Sequence, residues 1–247
     1  MVTINHALFN MVFPKLSDIR LRFVDIESVL SDSFLPGQCL PIPNDAPPEI
    51  PRMIFNSLNG HSTLSISSIN AQLTVNFDSH FHRDLDNCYR YLSKKANVLI
   101  KLLGQFMNEG FLYSGLSING TLDPLTADED DSLRFMSNRF LNFECNPKPV
   151  ELSSKLVFVQ ENKFYINLSF ANTTLFNGIP QMAGSLMNLK SVGKAVTFDV
   201  DINDRYAFNY DANYRSTQES AEKVLSISRF FMENRLGKFI KEGVLEI

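Results

Sequence analysis

Histidine is scarce in this chain: His6, His61, His80 and His82 are the four among 247 residues, and none lies beyond position 82. That distribution argues against the metal sites of hydrolases, which gather ligands from distant points of a chain. Cysteine is scarcer still. Cys39, Cys88 and Cys145 are odd in number and widely spaced, so they form neither a disulfide framework nor a zinc pattern, and they suit a reducing cytoplasm. Tryptophan is absent. No window approaches the roughly 18 uninterrupted apolar residues of a membrane span. The stretch before Lys15 has no positive charge, and no small-residue cleavage site follows an apolar run, so a signal peptide is not expected and the localisation expected is cytoplasmic. The sequons at Asn119, Asn167 and Asn172 are then chance words. An excess of one charge is also missing. A net charge of −4 with 20% charged residues is too mild for a disordered acidic chain and poorly suited to neutralising phosphates, so nucleic acid is not the expected partner.

What is present is a core. Apolar residues make up 44% of the chain and 21 residues are Phe. A chain of this length buries roughly 70 to 75% of its unfolded surface, enough to fold without metal or disulfide.

The chain also echoes itself. Cys39-Leu-Pro41-Ile-Pro43 recurs as Cys145-Asn-Pro147-Lys-Pro149, and Leu21-Arg-Phe23 as Leu133-Arg-Phe135. Leu64-Ser-Ile66 answers Ile166-Asn-Leu168, and Asn70-Ala-Gln-Leu73 answers Asn172-Thr-Thr-Leu175. The offsets stay between 102 and 112 residues in constant order, which predicts a duplication.

Periodicity divides the chain in the same way. The first copy, residues 1–110, predicts a strand over Ile4–Phe13, a short helix over Asp18–Leu30 and an extended passage over Pro36–Pro51. Strands over Arg52–Ser57, Thr63–Ser67 and Ala71–Phe77 and a long helix over Phe81–Asn108 complete it. Asn59-Gly60 predicts a two-residue hairpin turn. The second copy, residues 111–247, predicts strands over Leu112–Leu122, Leu152–Gln160, Lys163–Phe170 and Ala195–Ile202, with a further strand at Tyr206–Tyr210. Helices are predicted over Asp131–Leu141 and Thr217–Phe239, the latter opened by a Ser216/Glu219 capping box. An irregular insert spans Asn177–Lys194.

The fold class expected is α+β: a duplicated β-α-β(3–4)-α repeat forming one fused domain, a curved antiparallel sheet with two long helices on one face. That element order is TATA-binding-protein-like or, more loosely, helix-grip-like, an analogy that transfers no function.

Chemistry-bearing clusters are few. Asp78, His80, His82 and Asp84 follow a strand end, and two histidines flanking one residue resemble the start of a metallo-hydrolase site. Against this, Leu85 stands where the β-lactamase type has histidine, and the same residues suit a strand-to-helix turn in which Asp78 or Ser79 caps the helix. Asp199 and Asp201 share one strand face, as a metal or acid–base pair would, but Val200 and Ile202 opposite them fit an ordinary amphipathic strand with a solvated face. Cys88 falls on an apolar helix stripe and is expected in the core. Basic residues on the long helices, among them Arg90, Lys94, Arg229 and Lys238, fit solvated faces. No nucleophile elbow, Walker loop or dinucleotide fingerprint is present, so no cofactor is expected.

Pro41-Ile-Pro-Asn-Asp-Ala-Pro-Pro-Glu-Ile-Pro-Arg52, with His61-Ser-Thr-Leu-Ser-Ile66 and Gln72-Leu-Thr-Val-Asn-Phe77, resembles a sporadically distributed family of uncharacterised bacterial proteins. The resemblance covers about a quarter of the chain, implies a bacterial or phage setting and implies no reaction.

The function expected is that of a non-catalytic cytoplasmic protein binding a protein partner through an exposed sheet face that carries Ser65, Ser67, Thr74, Asn76, Asn167 and Ser169. A toxin-neutralising, chaperone-like or phage-defence role suits that setting. The alternatives are a small-ligand pocket between sheet and helices, lined by Phe, and a metal-dependent hydrolase or nuclease built on residues 78–84.

Overall fold

The computed structural model describes residues 2–78, 81, 84–107, 110–122, 131–141, 143, 146–177 and 189–247. Strand β1 (Val2–Val12) leads through a 3-10 turn (Ile19–Arg22) into α1 (Phe23–Leu30). Strands β2 (Gln38–Cys39), β3 (Met53–Asn56), β4 (Ser62–Ile66) and β5 (Asn70–Asn76) then precede α2 (Leu85–Phe106). The second half runs β6 (Tyr113–Leu122), α3 (Asp131–Phe140), β7 (Ser153–Gln160), β8 (Phe164–Asn177), β9 (Lys190–Asn203), α4 (Arg205–Tyr210) and α5 (Gln218–Phe230). A π-helical turn (Phe231–Arg235) joins α5 to α6 (Leu236–Glu242). The chain is α+β, with one large antiparallel sheet and several helices.

The nine strands among the described residues hydrogen-bond into that sheet in the order β2-β3-β4-β5-β1-β6-β9-β8-β7. The two halves meet where β1 pairs with β6, Phe9 opposite Leu116 and Ala7 opposite Ile118. Because successive side chains alternate between faces, register decides which residues share a side. Phe55, Leu64, Leu73, Phe9, Leu116, Ile202, Ile166 and Phe158 stand opposite one another across eight strands. All but Phe158 in this row are buried.

The helices cover that apolar face. The stripe Cys88, Leu92, Ala96, Leu99 and Leu103 is buried as α2 packs on β1 and β5, while α5 packs on β6 and β9 through its own buried side chains, Val224 and Ile227 among them. The two helices touch, and Tyr89 Oη and Ser228 Oγ share a buried hydrogen bond of 2.7 Å between them. Phe9, Phe55, Phe170 and Phe198 belong to one contiguous core, so the inward-facing phenyl rings fill the space between sheet and helices.

Several elements differ from expectation, each for a local reason. Residues Tyr206–Tyr210 form helix α4, not a strand, because their rings stack on one another and on strand tyrosines instead of alternating. Helix α2 begins at Leu85, capped by Asp84, whose carboxylate accepts from the Asn87 N–H at 2.9 Å. Helix α5 is capped by Thr217, not Ser216, because Ser216 is held in a bridge to Phe111. The Asn59-Gly60 turn is a longer loop: Ser57 pairs with Ser62, and Gly60 at φ +76 takes the left-handed position. Of the insert foreseen over 177–194, residues 190–194 belong to β9, and 178–188 lie outside the described residues.

Phe9, fully buried at the junction of the halves, sets the cost of loosening it. Phe9→Ala is expected to destabilise the protein by about 3–5 kcal/mol, read from the midpoint of urea unfolding with an unchanged m-value.

Candidate functional site

The face away from the helices is open across the sheet, and its chemistry follows from the odd-numbered residues of β6, β8 and β9. Asp199 stands opposite Asn119 on β6 and Ser169 on β8, and Asp201 opposite Ser117 and Asn167. His6 of β1 extends the first of these rows and Lys155 of β7 closes it, giving His6, Asn119, Asp199, Ser169 and Lys155 across five strands. A shallow cleft of about 230 Å³ lies over Asn119, Ser153, Lys155, Ser169, Ala171, Thr197 and Asp199. Its floor is low because Ser153, Ser169, Ala171 and Thr197 carry small side chains.

Asp201 is held by its neighbours. Asn167 Nδ2 donates to Oδ2 at 2.9 Å, and Asn203 Nδ2 donates to Oδ2 at 3.0 Å and to Oδ1 at 3.2 Å. Asp199 accepts from Ser117 Oγ at 3.1 Å and faces the cleft. Burial raises both carboxyls above the usual aspartate range, opposed at Asp199 by the Ser117 hydrogen bond and reinforced by Asp201 beside it. The expectation that these two occupy an ordinary solvated face is therefore corrected. They are half-buried, because β9 lies between two long neighbours instead of at an edge.

One end of this face is aromatic. Helix α4 folds against it so that Tyr206 meets Tyr165 edge-on at 5.2 Å, Phe208 meets Tyr113 at 5.4 Å, and Tyr206 packs on Tyr210 at 4.7 Å. Asp204 fixes that end. It is fully buried, and its carboxylate accepts from the Ser114 N–H at 2.6 Å, from Tyr214 Oη at 2.7 Å and from Ser216 Oγ. Tyr214 is pushed up, first by burial and then by its bond to Asp204. Sequence reasoning passed over Asp204. The signal was available: it continues the inward series Val196, Phe198, Val200, Ile202, where a carboxylate requires buried donors.

Of the six residues foreseen on a binding face, Ser65, Thr74, Asn76, Asn167 and Ser169 lie on the open side, in register with neighbouring strands. Ser67 does not. It is buried in the β4–β5 turn, where its hydroxyl donates to Asn70 Oδ1 at 2.6 Å and accepts from the backbone of Ile69 and Asn70. Of the four foreseen as metal ligands, His80 and His82 lie outside the described residues. Asp84 caps α2, and Asp78 approaches His61 Nδ1 at 3.4 Å. Among the described residues no three of His, Cys, Asp and Glu converge. Cys88 is buried as expected, and burial with the nearby Asp84 charge pushes its thiol up to about 12. No described helix is long and apolar enough to cross a membrane.

No protein-family model matches this chain, and no curated protein matches it in sequence. Among solved structures it is similar to the di-domain ARO/CYC BexL from the BE-7585A biosynthetic pathway, at 8% identity over 92% of this chain and 93% of that one. The TM-score is 0.22, an overlap that assigns neither fold nor activity.

Two outcomes test this electrostatic description. Raised carboxyls penalise the folded state at neutral pH, and the penalty fades as pH falls through the folded value toward the unfolded one, about 3.9. Asp199→Asn should therefore raise the melting temperature at pH 7 by about 1–4 °C, a gain that vanishes near pH 4 in a thermal-unfolding series. Asp204→Ala, which strands three donors, should cost about 3 kcal/mol or more in denaturant unfolding, and rescue by Asn should be partial.

Proposed function

We propose that this is a non-catalytic binding protein of the bacterial cytoplasm whose open sheet face receives a protein partner, in a toxin-neutralising, chaperone-like or phage-defence role. The observation that carries the reading is the state of the polar groups on that face. Asp201 is satisfied by two amides and Asp199 accepts from the Ser117 hydroxyl, so both carboxylates are positioned, and among the described residues neither is hydrogen-bonded to a histidine, lysine or cysteine. Such a face recognises; it is not arranged to transfer protons in a reaction. Its sign narrows the partner. Two carboxylates against one lysine and one histidine repel phosphates and favour donors, so the partner contact opposite Asp199 is a cationic side chain or a run of backbone N–H groups.

The same proposal includes a duplication. The element order is β-α-β4-α followed by β-α-β3 and then the helices α4, α5 and α6, and the strand orders of the halves mirror each other about the β1–β6 pair. This supports a TATA-binding-protein-like arrangement in which two half-sheets share one seam.

Asn167→Arg and Thr74→Arg place charge on the two halves of the face. Each should weaken co-purification of the partner from the native host at least ten-fold while Leu21→Arg, at an exposed position away from the sheet, leaves it unchanged; circular dichroism checks that all three remain folded. Retention of the same partner by both face variants would refute the assignment.

A further inference from the structure

The Pro-rich passage that carries the family resemblance forms one wall of a second cleft, about 170 Å³ in volume and remote in sequence from the carboxylate pair. Lys15, Ser17, Arg20, Asn44, Arg52 and Ser68 line it, three cations and three neutral polar side chains with no carboxylate in the lining. Arg52 is 3% exposed. Its guanidinium donates to the carbonyls of Ile50 and Ala46, each at 3.0 Å, and of Pro47 at 3.3 Å, which hold the passage in place without neutralising the charge. Arg20 donates to Ile42 O and to Asn44 Oδ1 at 3.4 Å, and its Nε is buried with no hydrogen-bond partner. Neither arginine forms an ion pair among the described residues; the acid nearest to Arg20 in sequence, Asp18, is bound to Arg22 at 3.1 Å.

A buried guanidinium without a counter-charge is costly, and guanidinium groups match the geometry of tetrahedral oxyanions. We infer that this cleft binds a phosphate group, either as inorganic phosphate or carried by a small metabolite. Arg52 and Arg20 supply fixed positive charge at the back, Lys15 closes on the anion from the rim, and Ser17 and Ser68 donate hydroxyls. The volume admits a phosphate with a short organic substituent and is too small for a nucleotide. The proposal is independent of the partner assigned to the open face, since the two sites share no residue.

The test measures thermal unfolding with sodium phosphate or glycerol phosphate at about 10 mM, against sodium chloride of equal ionic strength. A site of millimolar affinity should raise the melting temperature by about 3–5 °C over chloride. Lys15→Gln and Arg20→Gln, at positions that are not fully buried, should each abolish most of that shift, whereas Arg90→Gln on α2 should preserve it. The larger response of the two phosphates identifies the source of the group. The inference fails if neither exceeds chloride, or if the shift persists in both cleft variants.

Discussion

The register of one strand pair governs the structure. Where β1 meets β6, Phe9 faces Leu116 and Ala7 faces Ile118, and every other strand inherits its facing from that alignment through the pleat. A slip of one residue would turn the apolar row of one half toward solvent while leaving the other half inward, so α2 and α5 would no longer share a surface to cover. An irregularity between Ile4 and His6 lies within this pair. It leaves Ile4 inward opposite Gly120 while directing His6 to the open side opposite Asn119. Close packing tightens the alignment on the inner side. At Gly120 an added Cβ would come within 2.3 Å of Thr3 O and 2.4 Å of the Phe198 ring, so this strand position is held by glycine because a backbone and an aromatic ring already occupy the space.

The same register that makes the core also builds the open face, which explains how much of each was legible in the sequence. Alternation over Leu64, Ile66, Leu73 and Val75 identifies strands and their buried parity, and a stripe from Leu85 to Phe106 identifies the covering helix, because each pattern is local. What a local pattern lacks is strand order. Asp199 and Asp201 look the same on an edge strand as on β9, and only the neighbours β6 and β8 make them half-buried and raise their carboxyls. Similarly, the predicted strand over Lys163–Phe170 stops short of the end of β8 at Asn177, because beyond Asn172 the β8–β9 ribbon runs past the ends of β6 and β7 and its two strands pair with each other.

Ser216 shows how tertiary contacts override capping rules. The Ser216/Glu219 spacing fits a capping box, yet the Ser216 hydroxyl is bound by Asp204 and its backbone is paired with Phe111, so the cap shifts to Thr217, which accepts from the Ser220 N–H at 3.2 Å. One buried carboxylate thus sets where β6 begins, where β9 ends and where α5 starts. Tertiary bonding of this kind leaves no periodic trace. Its only sequence signal is a polar residue in an apolar series.

The edges of the sheet are treated unequally, and charge follows the same division. At the β2 edge the strand is two residues long and flanked by prolines, which cannot continue a ladder, and Arg52 anchors the passage that guards it. The same passage borders Lys15, Arg20 and Arg52, which form no ion pair among the described residues. In the second half the half-buried acids Asp199 and Asp201 sit near a β7 edge with Val157 and Val159 exposed. The net charge of −4 averages over small local fields: three cations line one cleft in the first half, and two carboxylates share the open face of β9 in the second. Screening over about 8 Å at physiological salt keeps such fields separate. Register sets the core, whereas these charges lie outside it: Asp199 and Asp201 on the open face of β9, and Lys15, Arg20 and Arg52 in the segments between β1 and β3.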